Sequence, residues 1–140
     1  MKILATFDES PLSEATIPAL AKLAALPNVE VLLRSVLVST VAIGDDAVAK
    51  RTSELEGYLE RLAARLPTGP AYRTGVDVAM LPMDAATVLI ERARSEHVDL
   101  IVMATHGRSG VLRVLLGSVA DNIVRSGVAP VLLVRPLPEP

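Results

Sequence analysis

Apolar residues in this chain gather in two ways: as short continuous runs, and as stretches in which they recur every three or four positions. Five runs alternate with four helical stretches, the pattern of an α/β protein whose parallel sheet is covered on both faces. The first run, Ile3 to Phe7, ends at Asp8, after which Ser10 and Pro11 stand as N-cap and first helical residue. Leu12, Ala15, Ala19, Leu20, Leu23 and Leu26 then predict one helix with a single apolar stripe, closed by Pro27. The second run, Val29 to Val38, is interrupted only by Glu30, Arg34 and Ser35 and reads as a strand buried on both faces.

Past the polar connection at Gly44-Asp45-Asp46, Val48, Thr52, Leu55, Leu59, Leu62 and Leu66 step by four and three, which predicts a long amphipathic helix. Pro67, Gly69 and Pro70 break it. The third strand falls between Tyr72 and Ala79, where Gly75 and Asp77 interrupt the pattern and point to a sheet edge. Asp84 is the expected N-cap of a helix that turns Ala85, Val88, Leu89 and Ala93 inward and ends near His97, there a charge partner for the helix end. Asp99 to Met103 and Val131 to Val134 are the last two strands. Between them Ser118 opens a helix, with Asp121 at capping-box spacing and Gly127 as terminator. Neither a repeat nor a second domain shows in the pattern, so residues 1–140 are expected to form one domain.

Composition narrows the classes of function. One Phe, two Tyr and no Trp leave an aliphatic core and no platform for stacking single-stranded bases. A net charge of −2 without a Lys/Arg block argues against nucleic acid as partner, since phosphate neutralisation carries that affinity. With no Cys, a disulfide scaffold, a thiolate zinc site and a cysteine nucleophile are all excluded. No apolar run approaches the roughly 18 residues of a membrane span, so the mean hydropathy of +0.44 is assigned to a buried sheet, and the lack of Cys fits a reducing cytoplasm, the expected location.

An open parallel sheet binds ligands beyond the carboxyl ends of its strands. Of the loops there, the one after Met103 is the most informative: Ala104-Thr105-His106-Gly107-Arg108-Ser109-Gly110, then Val111 to Leu116, then Gly117-Ser118 at a helix start. Gly107, Gly110 and Gly117 can present bare amides beside a helix N-terminus, as a phosphate cradle does. The same glycines equally suit a loop that merely turns tightly, and spacing does not choose between the two. No G-x-x-x-x-G-K-[ST] motif occurs, so a cradle here lacks the usual lysine. Asp8 and Ser118 also have plainer roles, as a partner for the first helix's amides and as an N-cap. A lone His106 reads as a hydrogen-bonding loop residue rather than a metal ligand.

This loop resembles that of the universal stress protein family, whose nucleotide-binding members carry G-x-x-G, nine residues, then G-[ST] after the fourth strand. Nine residues separate Gly107 from Gly117, and Ser118 supplies the last position. The resemblance continues in Asp8-Glu9-Ser10 after the first strand, in Leu32-Leu33-Arg34, and in Pro130-Val131-Leu132-Leu133-Val134. One departure is Ala104, which occupies the place of the motif's first Gly. Another is Ser35, where the family usually has Val; the same role would fall on Val36 if the alignment shifts by one.

What the resemblance implies is a doubly wound five-stranded parallel sheet of order 3-2-1-4-5 with two helices on each face. By position it implies that Asp8, the Ser35 backbone, Met103 and Ala104 meet adenine and ribose, and that Gly107, Gly117, Ser118 and Val119 meet phosphate. The ligand is then ATP, with Mg2+ as its companion ion, or a related adenine nucleotide, in a stress-response signalling protein. Catalysis has little support: G-x-S-x-G and H-E-x-x-H are absent, and Asp8 is the sole candidate for either a metal-holding carboxylate or a base. The rival readings are a dimeric interaction protein that binds no nucleotide and a slow ATP hydrolase. A homodimer is expected through the edge strand Val131 to Val134, paired antiparallel about a two-fold axis.

Overall fold

The structure, a computed structural model, describes residues 1–105 and 117–136. Its elements in chain order are β1 (Lys2–Thr6), α1 (Pro11–Glu14), α2 (Ile17–Ala24), β2 (Glu30–Ser39), α3 (Asp45–Ala63), β3 (Ala71–Met80), α4 (Ala85–Ser95), β4 (Leu100–Ala104), α5 (Ser118–Ser126) and β5 (Val131–Val134). All neighbouring strands run parallel in the order β3-β2-β1-β4-β5, the order expected. The core has two layers. Against one face, α2 and α3 bury Leu20, Ala24, Leu59 and Leu62 over Ile3, Ala5, Val31 and Leu33. Against the other, α4 and α5 bury Leu89, Ala93, Ala120 and Ile123 over Leu4, Leu32, Ile101 and Met103.

The first helical stretch is two helices, not one. Ser10 caps α1 by accepting from the Ser13 amide at 3.1 Å, with Pro11 next, as its sequence predicts. Pro18 then has no N–H to give the Glu14 carbonyl, and the Thr16 hydroxyl donates to the Ser13 carbonyl at 2.7 Å instead. The chain restarts as α2 with its apolar stripe still facing the sheet.

Three end assignments also change. Gly117, not Ser118, is the N-cap of α5; Ser118 is its first residue, and no side chain caps the helix. Asp121 pairs with Arg125 at 2.8 Å rather than reaching back to the cap. His97 makes no ion pair among the described residues; it ends α4 through its backbone, in a left-handed conformation with φ 52°. Asp84 and Gly127 do what their positions predict, the first accepting from the Thr87 amide at 2.8 Å and the second terminating α5 at φ 63°.

β3 lies at the sheet edge, yet Gly75 and Asp77 do not interrupt it. Arg34 on β2 lies over Gly75, where a Cβ would come within 2.0 Å of its Nη1. From there it grips Asp77 with Nε at 3.0 Å and Nη2 at 2.7 Å, and Arg92 of α4 binds the same carboxylate at 2.7 Å. Glycine thus clears the path for a buried ion cluster that ties α4 to the β2–β3 pair. These two strands also outrun the rest of the sheet: β1 meets β2 only as far as Arg34, whereas β2 and β3 stay paired to Ser39 and Met80. Among the described residues no helix is long and apolar enough to cross a membrane.

Candidate functional site

Where β1 and β4 stop, their chains depart in different directions, α1 leading to one face and α5 to the other. A cavity of about 220 Å³ opens at this divide, walled by the ends of β1 and β4, by the middle of β2 and by the starts of α1, α4 and α5. It brings together Asp8, Met103, Ala104, Gly117, Ser118 and Val119. Gly107, with His106, Arg108, Gly110 and Arg113, lies outside the described residues.

Ser35 does not line the cavity; its neighbours Arg34 and Val36 do. The reason is the two-residue period of a strand. Val36 belongs to the α4–α5 face with Leu32, whereas Ser35 follows Leu33 to the other face, where it is buried and its hydroxyl donates to the Phe7 carbonyl.

The start of α5 supplies the positive side of the site. Its first intrahelical bond runs from the Asp121 amide to the Gly117 carbonyl at 2.9 Å. The amides of Ser118, Val119 and Ala120 precede it and have no partner among the described residues, and all three residues line the cavity. Bare donors and the positive end of the helix dipole favour an anion there, by about 0.3 to 1 kcal/mol at an exposed helix end.

Asp8 supplies the acceptor. Burial pushes its pKa up, but hydrogen bonds from the Ser10 hydroxyl and amide outweigh this and hold it below the usual carboxylate range. It is therefore ionised at neutral pH. Asp8 does not bond the amides of α1 itself, the plainer role its position suggested: it accepts from the N-cap Ser10, whose hydroxyl in turn accepts from the Ser13 amide, so it braces α1 at one remove while standing on the cavity wall. Leu12, Val36, Leu89 and Met103 complete an apolar surface between the polar ends. Arg34 contributes to the wall, but its Nε and Nη2 are committed to Asp77.

The contributions of Leu12 and Ser13 and of Ala85 and Leu89 of α4 were not foreseen. The signal for α4 was the strand order: the crossover from β3 at one edge to β4 beside β1 carries that helix over the intervening strands.

The fold and site define a doubly wound α/β protein with a ligand cavity at its topological switch point. The model of the universal stress protein family matches residues 1–135, and the chain belongs to that family. Among curated relatives, universal stress protein MJ0531 of Methanocaldococcus jannaschii is 40% identical over 60 residues, 43% of this chain and 35% of that protein. Universal stress protein MJ0577 of the same organism is 29% identical over 86 residues, 61% of this chain and 51% of its own length. These matches thus span about half or less of the relatives' own length. The solved structure of MJ0577 aligns over 99% of this chain and 97% of its own, with a TM-score of 0.78 and 25% identity. The same fold occurs in a universal stress protein in complex with cAMP, that of Archaeoglobus fulgidus in complex with dAMP, and one from Arabidopsis thaliana with AMP bound. Their TM-scores are 0.72, 0.69 and 0.61 at 19%, 18% and 13% identity, each alignment covering at least 95% of this chain.

Proposed function

We propose that this cavity binds an adenine nucleotide, ATP being the first candidate, and that the bound nucleotide sets the state of a stress-response regulator in the cytoplasm. The observation that carries this reading is the convergence on one cavity of Asp8, Met103, Ala104 and the first-turn amides of α5, which have no partner among the described residues. A polyanionic tail fits the helix start, and a flat apolar base fits the surface of Met103, Leu89 and Val36. The three nucleotide-bound proteins that share the fold support the ligand class. Gly117, Ser118 and Val119 would hold the phosphates, and Asp8, Met103 and Ala104 the nucleoside; Gly107 is retained among the phosphate positions by its place in the family's motif. Mg2+ would arrive on the phosphates, because Asp8 is the one carboxylate on the described wall and already accepts from Ser10.

Titration calorimetry with ATP tests the reading. Wild-type protein should bind, and Gly117→Val, which places a branched side chain among the cavity's amides, should abolish binding with the far-UV spectrum intact. Unchanged affinity in folded Gly117→Val would overturn the assignment. Ala104→Gly should bind more tightly, because the methyl group it removes stands on the wall. A second reading, a dimeric interaction protein without nucleotide, is favoured by that same methyl group and would show as no heat with ATP, ADP or AMP. Hydrolysis would show as phosphate released faster than in a boiled control.

In its assembled form we infer a homodimer through β5. This strand ends the sheet, its outer edge has no partner among the described residues, and Leu132 and nearby Val124 are exposed.

A further inference from the structure

The described residues include eleven large hydrophobic side chains that are exposed, and seven of them, Val38, Val41, Ile43, Val78, Met80, Leu81 and Met83, belong to one region. They sit on the two-stranded extension of β2 and β3 and on the turns that leave it. The register sets Val38 on one face of this ribbon and Val78 and Met80 on the other, and brings together the two turns that carry Val41, Ile43, Leu81 and Met83: Ser39 pairs with Met80, and the Leu81 amide donates to the Ser39 carbonyl at 3.0 Å. Val41 is 91% exposed. Exposed apolar residues scattered singly need no account, but a contiguous group marks an interaction surface. Two methionines give it side chains that adapt to a partner's shape.

Within the tip's own two segments the exposed charge is of one sign, with Lys50 one turn beyond Asp46 on α3. Asp45 and Asp46 open α3, and Asp84 opens α4, directly beyond the two turns. None of the three forms an ion pair among the described residues. From Ser35 to Ala49 and from Val76 to Ile90 the chain has no Lys or Arg. The only other carboxylate in those two segments, Asp77, is buried and taken up by Arg34 and Arg92.

We propose that the β2–β3 tip is a docking surface for a cationic amphipathic segment of another protein, whose large apolar side chains cover Val41, Ile43, Leu81 and Met83 while its Lys or Arg residues meet Asp45, Asp46 and Asp84. The charge pattern selects this occupant over two others. A second copy of the chain would bring the same three aspartates against their own kind, and an anionic lipid surface would be repelled by them. The proposal is independent of what the cavity binds.

Fluorescence anisotropy decides it, with a labelled peptide of leucine and lysine at helical spacing and its counterpart with glutamate for lysine. The lysine peptide should bind saturably, and the glutamate peptide about tenfold more weakly or not at all. Ile43→Ser combined with Leu81→Ser, both at exposed positions, should weaken the lysine peptide by about tenfold, two lost apolar anchors being enough for that. Asp45→Asn with Asp46→Asn should weaken it and flatten its dependence on salt. Equal binding of both peptides, binding indifferent to the serine pair, tighter association with phosphatidylserine vesicles, or self-association removed by the serine pair would each overturn the proposal.

Discussion

Asp77 is the one charged residue that is buried among the described residues. Its carboxylate is buried at an edge strand and accepts from two arginines on different elements, so its removal leaves the Arg34 guanidinium without that anion and Arg92 with only its longer contact to Glu96 at 3.7 Å. Breaking a buried pair in this way costs about 3 kcal/mol, the lower end of the usual range because Arg92 keeps contact with solvent. Asp77→Ala should therefore lower the urea midpoint by an amount equivalent to that loss, with an unchanged slope. Gly75→Ala should act through the same cluster, since its new methyl group would meet the Arg34 guanidinium within 2.0 Å. The two losses should consequently be less than additive in the double variant; additive losses would mean that Gly75 serves the strand and not the cluster. None of this was legible in the pattern of the chain. Gly75 and Asp77 look like interruptions there, because their partners Arg34 and Arg92 lie far off in sequence and only strand pairing and helix docking bring them near.

At the scale of elements, local chemistry decides most of the boundaries, and the exceptions have local causes. Asp84, Ser10 and Gly127 act where their residue types predict, because each satisfies backbone groups within three residues of itself. Gly127 sits at φ 63°, a conformation that costs an L-residue about 1 kcal/mol or more, so Gly127→Ala should destabilise by roughly that amount. Gly127→Asn should cost less, since Asn tolerates this region; equal thermal midpoints for all three proteins would show that α5 can end another way. The split between α1 and α2 follows from Pro18, which the apolar stripe alone does not reveal because the stripe survives the break. At α5 the choice between Gly117 and Ser118 as cap falls to Gly117. That leaves the first-turn amides without a side-chain acceptor, the condition under which a ligand can take them.

For the molecule as a whole, the sheet has two edges with different characters: β3, tied to α4 by its ion cluster, and β5, short, aliphatic and without a strand partner on its outer side among the described residues. Association through β5 predicts a dimeric mass by light scattering at micromolar concentration. Leu132→Glu, at an exposed position on that strand, should shift it to a monomer by setting like charges against each other across the two-fold axis. A monomeric wild type, or a dimer unaffected by Leu132→Glu, would exclude this interface. The α/β class, the strand positions and the starts of α1, α4 and α5 were readable from the chain alone, because apolar period and capping are properties of neighbours in sequence, whereas α2 restarts inside the first stretch and α3 already begins at Asp45 in the polar connection. The strand order came from the resemblance of the Ala104 to Ser118 loop to a known family, and the structure has the same order. The membership of the cavity could not come from the chain in this way. Asp8, Met103, Ala104 and Gly117 to Val119 were singled out in advance, with Val36 as the alternative to Ser35, but the choice between those two, and the contribution of α4, depend on which face each strand residue turns to and on where a crossover helix lands. The Arg34–Asp77–Arg92 cluster and the apolar tip of β2 and β3 likewise exist only once distant segments are paired. Sequence determines what a residue can do with its near neighbours; the long-range register of the sheet decides which residues become neighbours at all.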